Sequence, residues 1–273
     1  MEPRPRLPGS LILAGAGKMG GAMLAGWLER GLDPASTTVV DPAPSPAVAD
    51  LCARRGVRLN PDGAAPPEVL VLAIKPQGLA EAAAGLDPLI GPETLLVSVL
   101  AGKTVADLRA RLPRARAVVR AMPNLPASIG RGATGAVAGP GVSAGQREAA
   151  DALLCATGHV EWLDTEEGID AVTALSGSGP AYVFLLAEAL AEAGAAAGLS
   201  PEAAARLARA TVVGAAALLD ASPAEPGELR RDVTSPGGTT AAALDVLMRA
   251  DGLPALMREA VAAAHRRAGE LSG

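Results

Sequence analysis

The chain has 273 residues, with 24 Lys and Arg against 29 Asp and Glu, so its formal net charge is −5. Apolar residues make up 49% and charged residues 19%, which allows a sizeable core and excludes wholesale disorder. Aromatic residues are only 1% and no run of Lys or Arg occurs. The stacking platforms and the basic surface of a nucleic-acid-binding protein are therefore both missing.

Residues 1–165 alternate short apolar runs with helix-like, Ala/Leu/Arg-rich segments such as 20–30 and 47–55. Strands are predicted at 11–14, 37–40, 69–74, 95–99, 117–121, 135–138 and 160–163. Apolar runs separated by helices, without a period of two, indicate a parallel sheet covered on both faces. The sequence predicts an α/β fold here, a Rossmann-type doubly wound domain over residues 1–165.

Residues 166–273 show no further strand pattern and read as an all-α domain. Helices are predicted at 170–199, 200–219, 235–250 and 252–271. Ser200 suits the N-cap of the second of these, and Pro201 suits its first helical position. The aliphatic faces of these helices exceed what one copy of the chain can bury. We therefore expect them to pack against a second subunit.

A glycine pattern, GxGxxG, occupies residues 15–20, directly after the first predicted strand and at the start of a helix. In that context the pattern is typical of a dinucleotide site. Gly15 permits a tight turn, Gly17 lets the backbone approach a pyrophosphate, and Gly20 lets helix and strand pack closely. The helix start then offers free N–H groups to the anion. The predicted cofactor-binding residues of this loop are Gly15, Ala16, Gly17, Lys18, Met19 and Gly20.

Asp41 ends the second predicted strand, 21 positions after Gly20. A carboxylate at this place accepts both ribose hydroxyls and repels a 2′-phosphate, which favours NAD. Arg54 and Arg55 lie too far along the chain to be obvious phosphate clamps. The alternative is that Asp41 merely opens the proline-rich turn at 42–46.

Segments 73–77 and 120–126 also follow predicted strands, so both fall on the edge where open α/β sheets place ligands. Lys75 meets a cofactor phosphate in one interpretation and is simply solvated in the other. Asn124 is either a polar contact to the ligand or a turn cap. The predicted cofactor-binding residues beyond the glycine loop are Asp41, Ala73, Lys75, Pro76 and Asn124.

Segment 232–240 opens the third predicted helix of the second domain. Ser235 suits its N-cap and Pro236 its first helical position. Gly237 and Gly238 then leave backbone N–H groups accessible, and such a helix start binds a carboxylate without a cationic side chain. The alternative is an ordinary cap with small residues for tight packing.

With these segments in view, the chain resembles the pyrroline-5-carboxylate reductases, which catalyse the last step of proline biosynthesis, over nearly its whole length. The resemblance rests on the glycine pattern with Met19 and on segments 73–77, 120–126, 175–182 and 232–240, the last being the family's signature. It implies an N-terminal Rossmann domain and a helical domain that dimerises by interlocking helices. It further implies a substrate site at the dimer interface and the further assembly of dimers, commonly into decamers.

The resemblance also implies roles for the residues of the second domain. The loop at 235–240 would bind the substrate carboxylate, and Thr240 would hydrogen-bond the ring nitrogen. The implied substrate-binding residues are Ser235, Gly237, Gly238, Thr239 and Thr240, with Thr240 as the catalytic residue. Family members commonly use NADPH and some accept NADH, so the resemblance implies NADP(H) while Asp41 keeps NAD(H) open.

Reduction of a cyclic imine needs a hydride at carbon and a proton on nitrogen. A pyrroline nitrogen is basic enough to arrive protonated, so the enzyme needs mainly to hold the imine carbon against the nicotinamide. The second domain contains no lysine and only His265, whereas a hydroxyacid dehydrogenase needs a His or Lys acid/base. The expected function is NAD(P)H-dependent reduction of 1-pyrroline-5-carboxylate to L-proline. The alternatives are a 3-hydroxyacid dehydrogenase-like reductase and a non-catalytic dinucleotide-binding sensor.

The remaining features concern metals and location. Cys52 and Cys155 form no CxxC pair and no zinc-binding spacing with the two histidines, so we expect no metal. Residues 1–8 are polar and proline-rich and lack the apolar segment of a signal peptide. No uncharged apolar run reaches the ~18 residues of a membrane span. The sequence predicts a cytoplasmic protein with a small-molecule substrate and with neither a membrane nor a nucleic-acid partner.

Overall fold

The structure is a computed structural model that describes residues 6–272, and these form two compact units. The sheet unit comprises the described residues up to Gly177 together with those from His265 onward, and the helical unit is Ser178–Ala264. Residues 1–5 lie outside the described residues, and with them part of the segment on which the signal-peptide prediction rests.

One eight-stranded sheet forms the centre of the sheet unit. Its strands are β1 (Leu11–Ala14), β2 (Thr37–Val40), β3 (Arg58–Leu59), β4 (Val69–Leu72), β5 (Leu95–Ser98), β6 (Ala117–Met122), β7 (Gly132–Ala138) and β8 (Gly158–Trp162). They lie in the order β3-β2-β1-β4-β5-β6-β7-β8. The seven predicted strands are confirmed, five of them with shifted ends, and β3 was missed because two residues make no pattern.

The predicted parallel sheet is wrong at one edge. Strands β1 to β6 run parallel, but β7 pairs antiparallel with β6 and parallel with β8. A parallel connection needs a crossover of a dozen or more residues. The segment 123–131 between β6 and β7 holds only a short 3₁₀ turn, Leu125–Ile129, so the chain turns back as a hairpin.

Helices cover both faces of the sheet. Those of this unit are α1 (Lys18–Glu29), α2 (Pro46–Arg55), α3 (Leu79–Leu86), α4 (Val105–Arg111), α5 (Ala144–Cys155) and α6 (Gly168–Val172). Leu13 of β1 belongs to the core cluster that contains Trp27 of α1 and Leu153 of α5. Its neighbour Ile12 belongs to the opposite cluster, with Leu108 of α4. Alternate residues of β1 thus feed two cores, which confirms the doubly wound prediction.

The helical unit contains no strand among its described residues, as predicted. Its helices are α7 (Gly179–Ala196), α8 (Pro201–Ala221), α9 (Pro226–Asp232), α10 (Thr239–Leu247) and α11 (Leu253–Ser272), whose end belongs to the sheet unit. Ser200 caps α8, because its hydroxyl accepts the Ala203 N–H at 3.3 Å, and Pro201 is its first residue. This cap is confirmed. The short α9 was not predicted.

The single helix predicted over residues 170–199 is wrong. The chain instead runs through α6, then a π-helical turn at Thr173–Gly177, and then α7. The π-turn lies close to the end of β6, since a Cβ on Gly177 would be 3.2 Å from Met122 Cε. Such wide turns are rare and are frequently found at functional sites.

Arg120 on β6 is a buried charge, with 3% of its side chain exposed. Its guanidinium lies 3.0 Å from Glu166 and 3.9 Å from Asp170. The same Glu166 oxygen accepts the N–H of Val105 at the start of α4. These contacts connect β6, α4 and the segment before α6, and Arg120 lies two residues before the end of β6.

Candidate active site

The glycine loop follows β1 and is shaped by backbone contacts. Gly15 has φ +86°, and a Cβ there would lie 2.7 Å from Ile74 N and 2.8 Å from the Ala73 carbonyl. A Cβ on Gly20 would collide with the carbonyl oxygen of Gly15 and lie 3.2 Å from Ala73 Cβ. The steric reasons predicted for Gly15 and Gly20 are therefore confirmed.

Gly17 is the N-cap of α1, and no side chain caps this helix start. A Cβ at Gly17 would meet nothing within 4 Å, so the backbone is open to an approaching ligand. The first-turn N–H groups of a helix have no intrahelical acceptor and carry partial positive charge. Lys18 is exposed, and Met19 packs against the core below. The loop therefore fits an anionic group such as a pyrophosphate.

Asp41 lies beside this loop. Its Oδ2 accepts the N–H of Ala16 at 2.7 Å, and its Oδ1 accepts the N–H of Ala43 at 2.9 Å. The second contact is the turn-opening role expected as the alternative, and the first holds the carboxylate against the glycine loop. Asn60 orients the Asp41 backbone, accepting its N–H at 2.8 Å and donating to its carbonyl at 2.7 Å.

Sequence reasoning missed Asn60. This residue adopts φ +47°, which Asn tolerates better than most side chains. It follows the two-residue strand β3, so no periodicity marks its position. Only the pairing of β2 with β3 brings it to Asp41.

A cavity of about 410 Å³ opens at the same edge of the sheet. Its walls come from the ends of β1 and β2 and from α3 with the turn before it. The lining residues are Ala14, Val40, Pro42, Ile74, Gly78, Glu81, Ala82, Gly85 and Leu86. Apart from Glu81 this lining is apolar or backbone, which suits a flat ring rather than a charged group.

The predicted residues after β4 lie beside the loop. The Ala73 N–H donates to the Ala14 carbonyl at 2.7 Å, which continues the β1–β4 pairing. Lys75 is exposed and precedes a short 3₁₀ turn, Pro76–Gly78, that Pro76 begins. Its side chain is open to solvent, which is compatible with both interpretations of Lys75.

Asn124, two residues after β6, is engaged with the protein itself. Its Oδ1 accepts the N–H of Ala133 at 2.9 Å. Its Nδ2 donates to the carbonyl oxygen of Ser176 at 3.1 Å and to the Ser176 hydroxyl at 3.2 Å. The side chain bridges β7 and the π-turn.

The start of α10 differs from its prediction. Ser235 is not the N-cap and Pro236 is not the first helical residue, because α10 begins at Thr239 with Gly238 as N-cap. The Gly238 N–H donates to the Ser235 carbonyl at 3.0 Å, and Gly237 has φ +69°. Pro followed by a residue with positive φ is the pattern of a type II turn. The turn precedes the helix and takes the place of the predicted cap.

This turn decides which donors are free. The Gly238 N–H is already hydrogen-bonded within the turn. The N–H groups of Thr239 and Thr240, by contrast, begin α10 and have no acceptor within the helix. No acidic side chain lies in the first turn of α10. A Cβ on Gly238 would collide with Ser235 Oγ and lie 3.1 Å from the Ser235 carbonyl oxygen, so a larger residue would require the Ser235 side chain to move. The five predicted substrate-binding residues lie in this turn and in the first two residues of α10.

The structure describes no group of three or more His, Cys, Asp or Glu that could hold a metal within residues 6–272. Burial and the neighbouring Asp151 carboxylate raise the pKa of the Cys155 thiol to about 11. Burial also raises the pKa of Cys52. Both are therefore thiols rather than reactive thiolates at neutral pH.

Comparison with known proteins points to one family. Residues 166–271 match the family model described as pyrroline-5-carboxylate reductase dimerisation, and residues 11–102 match the one described as NADP oxidoreductase, coenzyme F420-dependent. A pyrroline-5-carboxylate reductase from Pseudomonas aeruginosa is 45% identical over 264 residues, 96% of each chain. The chain belongs to the pyrroline-5-carboxylate reductase family.

Solved structures agree with this assignment. The chain is similar to a pyrroline-5-carboxylate reductase from Coxiella burnetii, with 37% identity and a TM-score of 0.89, covering 97% of this chain and 98% of that one. It shares its fold with a Plasmodium falciparum pyrroline carboxylate reductase that has NADP bound, at 23% identity and a TM-score of 0.79, over 98% and 100% of the two chains.

The segment that matches the dimerisation model carries most of the large apolar side chains that are exposed among the described residues. Sixteen of the twenty large apolar side chains exposed within the described residues belong to the helical unit. One helical stretch, Gly168–Ala196, is long and apolar enough to cross a membrane by length and composition, and 11% of its apolar window is buried. A subunit interface accounts for the same composition. The absence of a membrane partner stays a prediction.

Proposed function

We propose that this protein reduces 1-pyrroline-5-carboxylate to L-proline with a reduced nicotinamide dinucleotide. The observation that carries this proposal is the 45% identity to a pyrroline-5-carboxylate reductase over 96% of both chains. The open helix start at Thr239 and Thr240 supplies what an anionic substrate requires.

The cofactor is NADP(H), in line with the family match over residues 11–102. The N–H groups at the start of α1 hold the pyrophosphate, and the loop from Gly15 to Gly20 shapes that place. Asp41 meets the adenosine ribose, and the apolar cavity beside it takes the adenine ring. Ala73, Lys75 and Pro76 line the same edge. When bound, the reduced nicotinamide supplies the hydride.

The loop at 235–240 holds the substrate. Thr239 and Thr240 donate their backbone N–H groups to its carboxylate, with Ser235, Gly237 and Gly238 forming the turn around it. The Thr240 hydroxyl hydrogen-bonds the ring nitrogen, which arrives protonated. The residues then need only to orient the imine carbon, and orientation alone lowers a barrier by about 7–11 kcal/mol in well-aligned systems.

The protein works as a homodimer joined through the helical domain, and the dimers assemble further into decamers. The exposed apolar faces of α7, α8 and α10 and the dimerisation match support the homodimer, and the decamer rests on the family resemblance alone. The division into a nucleotide-binding domain at 1–165 and a helical domain at 166–273, and the cytoplasmic location, belong to the same proposal.

The first experiment measures initial rates of pyrroline-5-carboxylate reduction by the loss of reduced-nicotinamide absorbance, with NADPH and NADH in parallel. Turnover with either cofactor supports the reductase. Nucleotide binding without turnover contradicts it and favours the sensor, whereas turnover of a 3-hydroxyacid instead favours the dehydrogenase-like alternative.

Thr240→Ala tests the substrate loop. We expect kcat/KM for the imine to fall by about 10–100-fold, the loss of one or two substrate hydrogen bonds. Nucleotide affinity should hardly change, and Thr240→Ser, which keeps the hydroxyl, should recover most of the activity. Unaltered kinetics in Thr240→Ala would remove Thr240 from the site.

Asp41→Ser tests the cofactor side. Removing a charge about 4 Å from a 2′-phosphate is worth about 1 kcal/mol in water, so kcat/KM for NADPH relative to NADH should rise about fivefold. Asp62→Ser removes an exposed carboxylate elsewhere on the sheet unit and should leave the ratio as it is. An unchanged ratio in Asp41→Ser would show that Asp41 only shapes its turn.

A further inference from the structure

Asn124, Ser176 and Ala133 close a ring of hydrogen bonds between three segments of the sheet unit. Asn124 accepts the Ala133 N–H and donates to both the carbonyl and the hydroxyl of Ser176. The Ser176 hydroxyl in turn donates to the Ala133 carbonyl at 2.9 Å. An Asn side chain has one acceptor oxygen and two N–H donors, so both ends of this amide are engaged.

The Ser176 carbonyl needs this donor because of its place in the chain. The residue four positions on is Pro180, which has no N–H. The residue five positions on, Ala181, donates its N–H to the Ser178 carbonyl at 3.0 Å. Neither an α-helical nor a π-helical partner is therefore at hand. The Nδ2 of Asn124 supplies the bond that the helix cannot.

The π-turn held in this way borders one end of the nucleotide edge. Strands β1, β4, β5 and β6 are parallel, so their carboxyl ends share an edge, and a dinucleotide lies along it. Asp41 at the end of β2 marks the adenosine side of the glycine loop. The nicotinamide half therefore points towards β4 to β6, where Asn124 follows β6 and Met122 touches the π-turn.

We propose that Asn124 is a positioning residue for hydride transfer: it fixes the turn Thr173–Gly177 against the end of β6 and thereby sets the wall of the nicotinamide site. This inference rests on the proposed reductase function and revises the prediction that Asn124 contacts the cofactor. Displacing a reacting group by about 1 Å costs up to about a hundredfold in rate. Loss of the bridge therefore lowers kcat and leaves nucleotide affinity unchanged.

Asn124→Asp isolates the donor. The variant keeps the shape and the acceptor for Ala133, but it places a carboxylate oxygen against the Ser176 carbonyl. We expect kcat to fall at least tenfold, nucleotide Kd by fluorescence titration to stay within twofold, and the primary isotope effect with 4-deuterated reduced cofactor to rise. Ser176→Ala removes only the hydroxyl and should shift the same quantities in the same direction by about two- to fivefold, the worth of one neutral hydrogen bond.

The matched control is Ser128→Ala, which removes a 2.9 Å hydrogen bond to the Leu125 carbonyl in the same loop, away from the π-turn. Its kcat and isotope effect should equal those of the wild type. A direct cofactor contact would instead raise Kd in Asn124→Asp with kcat unchanged, and that result overturns the proposal. So does an unchanged kcat in the folded variant.

A variant that fails to fold is recognised by its melting curve, and Ser176→Ala then decides the matter by the same readouts. If the wild-type protein binds nucleotide but reduces no pyrroline-5-carboxylate, the proposed function fails. The failure is then visible in the wild type before any variant is compared, and the positioning role falls with it.

Discussion

The sheet unit and the helical unit treat their apolar residues in opposite ways. Every residue of β1, β4 and β5 is buried, whereas α7, α9 and α10 have no buried residue. A parallel sheet is covered by its own crossover helices, so it completes its core within one chain. A few Ala-rich helices cannot do so, and their surplus apolar surface is what a second subunit would cover.

The two helix starts that we assign to anions show the same contrast. Both α1 and α10 have a glycine N-cap and no capping side chain. The start of α1 is held by tertiary contacts, because Gly15 and Gly20 pack against the backbone and side chain of Ala73. The second is held by its own Pro-Gly turn on an exposed loop. The same kind of uncapped helix start is thus produced by tertiary packing in the sheet unit and by a local turn in the helical unit.

The largest effect should come from a charge on the apolar face of α7. In Leu186→Glu, whose side chain is 47% exposed in the single chain, dimerisation would bury an unpaired carboxylate at a cost of several kcal/mol. We expect a monomeric mass in light scattering at micromolar concentration and loss of activity.

The matched control for this variant lies in the other unit. Ile129→Glu places the same charge at a side chain that is 77% exposed, and its mass should equal that of the wild type. A dimeric Leu186→Glu would contradict this prediction, because the exposed face of α7 would then not be the interface.

A smaller effect is expected at the glycine loop. In Gly20→Ala the new Cβ meets the carbonyl oxygen of Gly15, so α1 must shift, and overpacking of this kind costs about 1–3 kcal/mol. We expect a lower Tm and nucleotide affinity reduced about 10–100-fold by titration. Gly145→Ala in α5 meets nothing within 4 Å and should raise stability slightly. If Gly20→Ala and the wild type had the same Tm, the glycine loop would not be constrained by the contacts of Gly20 with Gly15 and Ala73.

The smallest effect concerns the capping box of α4. The Asp107 carboxylate accepts the Thr104 N–H at 3.0 Å, and this bond lowers the pKa of Asp107. A lowered pKa means that the ionised form stabilises the fold above the unfolded-state pKa and that this stabilisation is lost as pH falls through the folded-state pKa. Asp107→Asn should cost about 0.5–1 kcal/mol at pH 7. Chemical unfolding should show this difference shrinking as pH falls below the ordinary pKa of an aspartate, and a difference independent of pH would contradict the role of the charge.

Local patterns carried much of the prediction. The apolar runs placed β1 and β2 at their observed bounds, and Ser200-Pro201 placed the start of α8, because strand burial and helix capping depend on residues close in sequence. The same reasoning failed at Ser235-Pro236, which looks like a cap but forms a turn with Gly237. Cap and turn use the same residue types, and φ at Gly237 decides between them.

Short-range residue patterns were enough to identify the family, the glycine loop after β1 and the order of a sheet unit followed by helices. The folded structure, in contrast, determines which polar groups are already hydrogen-bonded within the protein. Asp41 meets Ala16 across 25 positions, and Asn124 meets Ser176 across 52. The π-turn before α7 likewise lies against the end of β6, close to Met122. Hydrogen-bond partners so far apart leave no local periodicity, because only the folded sheet brings them within 3 Å or so of each other.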